Sequence, residues 1–577
     1  MRKFLPFIVL LLSLSAFGVA ADGATADDKA AAAKAADTKA ADTKNDKSTP
    51  KSTISSDDHG DPVLKAMLAE LKRSQEKLQL GQLQRPYYID YQITELQDYL
   101  ADATLGALRN DQTNIGRFVR VVVRIGDYNQ DSYYGEGVGT IEVMPIDNDE
   151  MALRHQLWLA TDKAYKSALG GLTEKQAALK NVVVEHEVPD FSQEKPADAI
   201  HDIAKLDVDL DQWKQMLRTT SDLFRADPEI ESTEASLHFR VLNRYFANTE
   251  GTVTRNGKAL YTFAFEGSAQ SSDGMRIDRS HGYTVAKADE LPKPEEVKKD
   301  AQKLIATFAE LRKAPLVEDD YHGPVLFSAD ASTALFERLI ATNILGTRPD
   351  IGNPARTTGE FASYYKSRVL PDFINVVDDP RSKKIDDQTL IGSYDVDDQG
   401  VKVEPITVVE KGVLVNYLLG REPIRDFLHS NGHGRTGLAG APRPQISNLI
   451  VKASNSMSFE DLKKKMIQMC RDQGRPYGYY VETTGLRLAP RLLWRVYVND
   501  GHMEMVRGAM FNQLDTRSLR SDIIAAGNDQ YVYNRTEPLP SAIVAPSLLF
   551  DELEIQRANR TREKLPTYAA PALTSAK

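Results

Sequence analysis

Apolar positions in this chain of 577 residues change their spacing along its length, and each spacing predicts an element. Phe4 to Leu14 is apolar except for Pro6 and Ser13. After Asp61-Pro62, a favourable N-cap followed by proline at the first helical position, Leu64, Met67, Leu68 and Leu71 recur at helical spacing. Phe118 to Ile125 alternates as a strand does, and Gly126-Asp127-Tyr128-Asn129 closes it with a turn. Residues 151–180 and 210–225 read as helices, and 235–247 and 252–268 as paired strands. Asn256-Gly257 inside the last segment is a type I′ hairpin signal, which predicts that it divides into two strands.

Leu291-Pro292-Lys293-Pro294 punctuates the chain and opens a charged helix reaching about residue 312. From Gly323 onward strands dominate, at 324–327, 401–409, 412–417, 446–451, 492–498 and 503–506. The expected class is α+β: a mixed α/β domain over 61–315, then an antiparallel β-rich domain over 316–556.

The ends of the chain have another texture. Met1-Arg2-Lys3, the short apolar run and the small residues Ala16, Gly18, Ala20 and Ala21 follow the pattern of a secretory signal peptide over 1–21. That run is too short for a bilayer, which needs about 20 apolar residues. Residues 22–60 are Ala, Lys, Asp, Thr and Ser, a composition expected of a disordered linker, and 557–577 read as a flexible tail. Export is therefore expected, with a periplasmic location, because Cys470 is the sole cysteine and cannot form an intrachain disulfide. No later stretch is apolar enough for a stable membrane anchor. The net charge of -10 comes from intermixed acids and bases, and no basic tract points to nucleic acid.

An ordered series of short strings occupies the second region. It begins with Ser393-Tyr394-Asp395-Val396-Asp397-Asp398-Gln399-Gly400-Val401 and continues with Val408-Val409-Glu410-Lys411-Gly412-Val413-Leu414. Gly432-His433-Gly434-Arg435, Pro442-Arg443-Pro444-Gln445-Ile446-Ser447-Asn448-Leu449 and Val506-Arg507-Gly508 follow. Each string has an ordinary reading. Asp397 to Gly400 fits a turn, Glu410-Lys411-Gly412 a hairpin tip, and Arg435 either a carboxylate contact or a surface ion pair. As an ordered set they resemble the C-terminal domain of the TldD/PmbA metallopeptidase family over about 320–556, and more weakly the region before it. The resemblance implies a barrel-like β-rich domain and a peptide substrate, and Arg435 and His433 are the candidate substrate-binding residues.

Catalytic members of that family carry a helical His-Glu-x-x-x-His motif whose imidazoles, with a distant cysteine thiolate, hold zinc, while the Glu acts on the bound water. Positions five apart on an α-helix differ by roughly 140°, so such a motif needs a distorted turn or suitable rotamers. The corresponding segment here is Ala331 to Ile344, with Phe336 and Ala341 at the histidine positions and Glu337 at the catalytic one. Phe and Ala offer no lone pair, and Leu335, Phe336, Leu339, Ile340 and Ile344 form a wide apolar face. Cys470 lies in an amphipathic stretch and reads as a small buried side chain. Neither His429 with His433, nor Glu185-His186-Glu187 on an expected strand, nor Asp395, Asp397 and Asp398 makes a convincing metal cluster.

The expected cofactor is none, although the family implies zinc. Three functional readings follow. The first is a non-catalytic, PmbA-like subunit shaping a peptide cavity with a TldD-like zinc partner. The second is a homodimeric peptide-binding pseudoenzyme. The third is a hydrolase using other residues, although no G-x-S-x-G, P-loop or dinucleotide fingerprint occurs.

Overall fold

The computed structural model describes residues 54–133, 139–438 and 440–558. The expected signal peptide, most of the linker and nearly all of the tail lie outside these residues. Helix α1 (Pro62–Lys77) starts where Asp61 Oδ1 accepts from the backbone N–H groups of Val63 and Leu64, at 2.8 and 3.1 Å. Two hairpins of unusual length follow. Strands β1 (Pro86–Thr104) and β2 (Ala107–Ile125) turn through Leu105 and Gly106, both at positive φ, as a type I′ turn requires. After β3 (Thr140–Val143), α2 (Glu150–Leu179), β4 (Asp198–Ile200) and α3 (Leu210–Asp222) come β5 (Ile230–Asn248), β6 (Val253–Gln270) and β7 (Arg276–Val285), then α4 (Pro294–Lys313).

These strands form one sheet in the order β3-β2-β1-β5-β6. The outer edge of β6 is shared: β4 pairs with its start in parallel and β7 with its end antiparallel. Helices α1 and α2 cover one end through Leu64, Met67, Leu71, Leu153 and Leu157 against Ile89, Tyr91 and Val121. Helices α3 and α4 cover the other through Leu217 and Phe308 against Phe239, Phe263 and Phe265.

The Asn256-Gly257 expectation fails. Strand β6 runs straight through it, and Gly257 pairs with Asn243 of β5. The segment 202–204 crosses directly over this glycine, where a Cβ would stand 2.2 Å from Ala204 N. Asn243 fastens the crossing, its Oδ1 accepting from Ala204 N at 2.8 Å and its Nδ2 donating to Ala204 O at 3.2 Å. The glycine marks a close backbone approach rather than a turn. Glu185-His186-Glu187 is an exposed loop, not a strand.

In the second region β8 (Tyr321–Phe327) leads into α5 (Ala329–Leu335), capped by Ser328 Oγ, which accepts from Ala331 N at 2.9 Å. Two larger sheets follow. One runs in the order Val413–Leu414, Ile406–Glu410, Ile374–Asp378, Asn448–Ala453, Ser541–Ala545, Tyr531–Arg535. The other runs Ser456–Met457, Ile523–Gly527, Leu548–Arg557, β8, Tyr477–Thr484, Pro490–Tyr497, Met503–Val506, with Ala509–Asn512 also on Leu548–Arg557.

The expectation of a barrel-like, antiparallel domain is corrected here. The region is β-rich, but among the described residues the terminal strands of each sheet do not pair with one another, so neither closes. Among the described strands three pairings are parallel, including β8 with Tyr477–Thr484. Burial comes instead from one apolar cluster fed by both sheets, with Phe327, Val481 and Phe550 from one and Val376, Val451 and Ile543 from the other. The helix Phe459–Asp472 covers the opposite face of the larger sheet through Leu462, Met466 and Cys470.

The two regions are joined by buried charge. Arg421 donates from Nη1 to Glu250 Oε2 and from Nη2 to Glu250 Oε1, both at 2.7 Å, and from Nε to Ser192 O at 3.0 Å. Arg244 holds Asp398 at 2.8 Å and Arg507 holds Asp273 at 2.9 Å.

A candidate peptide cleft beside a π-turn

A cleft of about 1340 Å³ opens where the two regions meet. One wall is β7, the edge of the first sheet. Another is Tyr531–Arg535, the edge of the six-stranded sheet. The floor includes α5 and its continuation through Glu337 and Arg338, and the loop between Thr484 and Arg491 closes one end. The two strand edges meet at Asn534, whose Nδ2 donates to Thr284 O at 3.1 Å and to Thr389 O at 2.8 Å. Glu337 faces this space, its Oε1 accepting from Arg535 Nη1 at 2.8 Å. Burial raises the Asp330 carboxyl to about 6; Arg279 opposes that shift and Glu482 adds to it.

Beyond Leu335 the helix widens. Residues Phe336–Ala341 are wound as a π-turn. An i→i+5 winding brings positions five apart together, as an α-turn does for positions four apart. The distortion that a His-Glu-x-x-x-His motif needs is thus present in the backbone. The donors are not. Phe336 is 0 % exposed and Ala341 5 %, and both belong to the shared apolar cluster. Among the described residues no group of three or more His, Cys, Asp or Glu side chains is placed to hold a metal ion. Cys470 lies in a different cluster, on the far face of the larger sheet, with Sγ 4.0 Å from Tyr321 Oη, and burial pushes its thiol pKa up. The residues present do not fit the family's zinc site.

Of the expected site residues, only Glu337 lines the cleft. His433 is fully buried, with Nε2 3.1 Å from Asp378 Oδ1 and Nδ1 2.9 Å from Asn431 Oδ1. Arg435 is 7 % exposed, donates to Ile446 O at 2.9 Å and Pro540 O at 3.0 Å, and stacks on Tyr394. Both side chains bind the chain's own groups. Asp397 sits near Arg435 and accepts from the backbone N–H groups of Gln399, Val401 and Gly434, while burial lifts its carboxyl to about 7. The cleft's own Arg279, Asp330, Arg491 and Arg535 carry no local sequence signal, because they converge only through sheet pairing.

Residues 320–557 match the PmbA/TldA metallopeptidase C-terminal domain family. The match spans the second region of the chain, from the start of β8 to the last strand. A metalloprotease of Methanocaldococcus jannaschii is 32% identical over 96 residues, which is 16% of this chain and 20% of that protein. The chain therefore matches about a fifth of that relative's length. Among solved structures, a candidate modulator of a DNA gyrase from Thermotoga maritima superposes with a TM-score of 0.55 at 16% identity, covering 81% of this chain and 96% of that one. TldE from Thermococcus kodakarensis gives 0.56 at 14%, covering 85% and 99%. A candidate modulator of DNA gyrase from Bacteroides thetaiotaomicron gives 0.57 at 12%, covering 85% and 98%. At these identities the likeness is one of fold, and it extends well beyond the TldD/PmbA domain into the first region.

Proposed function

We propose that this TldD/PmbA-family protein is a non-catalytic, peptide-binding subunit that works with a zinc-bearing family partner outside the cytoplasm. One observation carries the reading: a π-turn of the right winding borders a large cleft, yet presents a phenyl ring and a methyl group where a metal needs nitrogen donors. A general base without an activated water has no reaction to serve, which leaves Glu337 as the ion-pair partner of Arg535. The cleft itself is suited to an extended peptide. Two strand edges line it, and unpaired edge N–H and C=O groups accept an added strand. Support for export rests on the basic, apolar and small-residue succession over 1–21. Among the described residues no helix is long and apolar enough to cross a membrane.

The test combines zinc analysis of the purified chain, a peptidase assay and affinity capture from the native cell envelope. We expect zinc well below one equivalent, no chelator-sensitive cleavage by the chain alone, and co-purification of a zinc-bearing TldD-like protein. Stoichiometric zinc with chelator-sensitive cleavage would falsify the reading. Self-association without such a partner selects a homodimeric peptide-binding protein instead. Fractionation of cells, with N-terminal sequencing of the mature protein, tests export; a retained Met1 in the cytoplasm overturns it.

A further inference from the structure

Two guanidinium groups line one end of the cleft. Arg279 projects from β7, and Arg491 lies at the start of Pro490–Tyr497. Both line the main cleft and also a recess of about 120 Å³ behind it. Arg491 Nε lies over Gly485, 2.5 Å from where a Cβ would stand, so the glycine leaves room for the guanidinium. Arg279 Nη1 donates to Thr483 Oγ1 at 3.1 Å, while its Nε is buried with no hydrogen-bond partner.

Neither arginine makes an ion pair among the described residues. None of the nearby acids forms a salt bridge with either arginine, although Asp330 and Glu482 act on Arg279 through space. Glu482 accepts from Trp494 Nε1 at 2.8 Å, Asp278 pairs with Arg276 at 2.7 Å, and Glu234 pairs with Arg109. Glu266 makes no ion pair among the described residues, and burial raises its pKa. The charge on Arg279 is disfavoured first by burial and next by Arg491, and Glu482 and Asp330 offset this only in part. Like charges gathered in a half-buried site, with donors left open, are compensated by an incoming anion.

We infer that Arg279 and Arg491 form a subsite for a carboxylate of the bound peptide. The proposal rests on the peptide-cleft reading and adds a substrate preference to it. A guanidinium offers a planar fork that matches a carboxylate, and two forks at one end of a strand-lined cleft select where that group sits along the peptide. The carboxylate is either the peptide's C-terminus or an Asp or Glu side chain.

Fluorescence anisotropy with dye-labelled, otherwise neutral peptides of extended sequence tests this on the full chain. One peptide has a free C-terminus, one is C-terminally amidated, and amidated versions carry an internal Asp or its Asn counterpart. We expect one carboxylate source to tighten binding by roughly ten- to a hundredfold over its amide counterpart, the range for hydrogen bonds to a charged group. Arg491→Gln, at an exposed position, removes that increment. Arg491→Lys restores part of it, and Arg279→Gln reproduces the loss. Equal binding of carboxylate and amide peptides by the unaltered protein overturns the subsite, as does an increment that survives both Gln substitutions. Failure of every peptide to bind removes the peptide-cleft reading and the subsite with it.

Discussion

Arg421 ties the two regions through a buried ion pair, and Arg421→Met measures the tie. Its side chain is 1 % exposed and that of Glu250 10 %. The guanidinium satisfies both oxygens of Glu250, reaches Ser192 O, and stacks on Phe191 with Cζ 4.0 Å from the ring centroid. Methionine keeps much of the volume and the apolar contact but removes the charge. Among the described residues Glu250 then keeps Tyr128 Oη at 2.8 Å and Asn248 Nδ2 at 3.3 Å, both neutral donors. Leaving one member of a buried ion pair unmatched costs about 3–5 kcal/mol. Replacing both members by uncharged groups costs far less, so Arg421→Met/Glu250→Gln should recover most of that loss. The assay is urea unfolding of the four proteins of the cycle, with the coupling free energy taken from the differences. A loss below about 1 kcal/mol for Arg421→Met, or a double variant no more stable than the single, refutes the account; an exposed pair would behave that way.

Three further outcomes are expected. Phe336→Ala opens a cavity in the cluster shared by both sheets and should lower stability by about 3–5 kcal/mol in denaturant titration; a loss under about 1 kcal/mol would place the ring outside the core. Gly257→Ala forces a methyl group against the backbone of 202–204, and should cost about 1–3 kcal/mol by the same measurement, whereas an Asn-Gly turn would tolerate it. Asp330 is held at about 6 by burial, above the ordinary carboxylate value of about 3.9. The folded state therefore binds this proton more tightly than the unfolded chain, and the stability it contributes is full below the ordinary value and lost as pH rises through about 6. Asp330→Asn should flatten that decline in a thermal-melt series across the window, and an unchanged pH slope would show that Asp330 is not the group responsible.

The sequence alone determined the local elements and one negative fact of chemistry. Helices α1 to α4 were legible because apolar spacing and caps such as Asp61 act within a few residues. The absence of zinc donors at 336 and 341 was legible because it depends on which atoms a side chain possesses. The ordered strings of the second region pointed to its family for the same reason, since they are runs of residue types.

Tertiary structure decided what required distant segments to meet. Whether a sheet closes depends on which edges find partners, and the two C-terminal sheets bury their faces together instead. Asn256-Gly257 signals a turn unless another backbone crosses above it, and the crossing segment lies more than forty residues earlier. His433 and Arg435 look available for ligand until Asp378, Ile446 and Pro540 are seen to occupy them. The cleft depends on contacts such as that of Asn534 with Thr284, 250 residues apart. Propensity and periodicity are set by neighbours along the chain, whereas a cleft and its charge balance are set by neighbours in space.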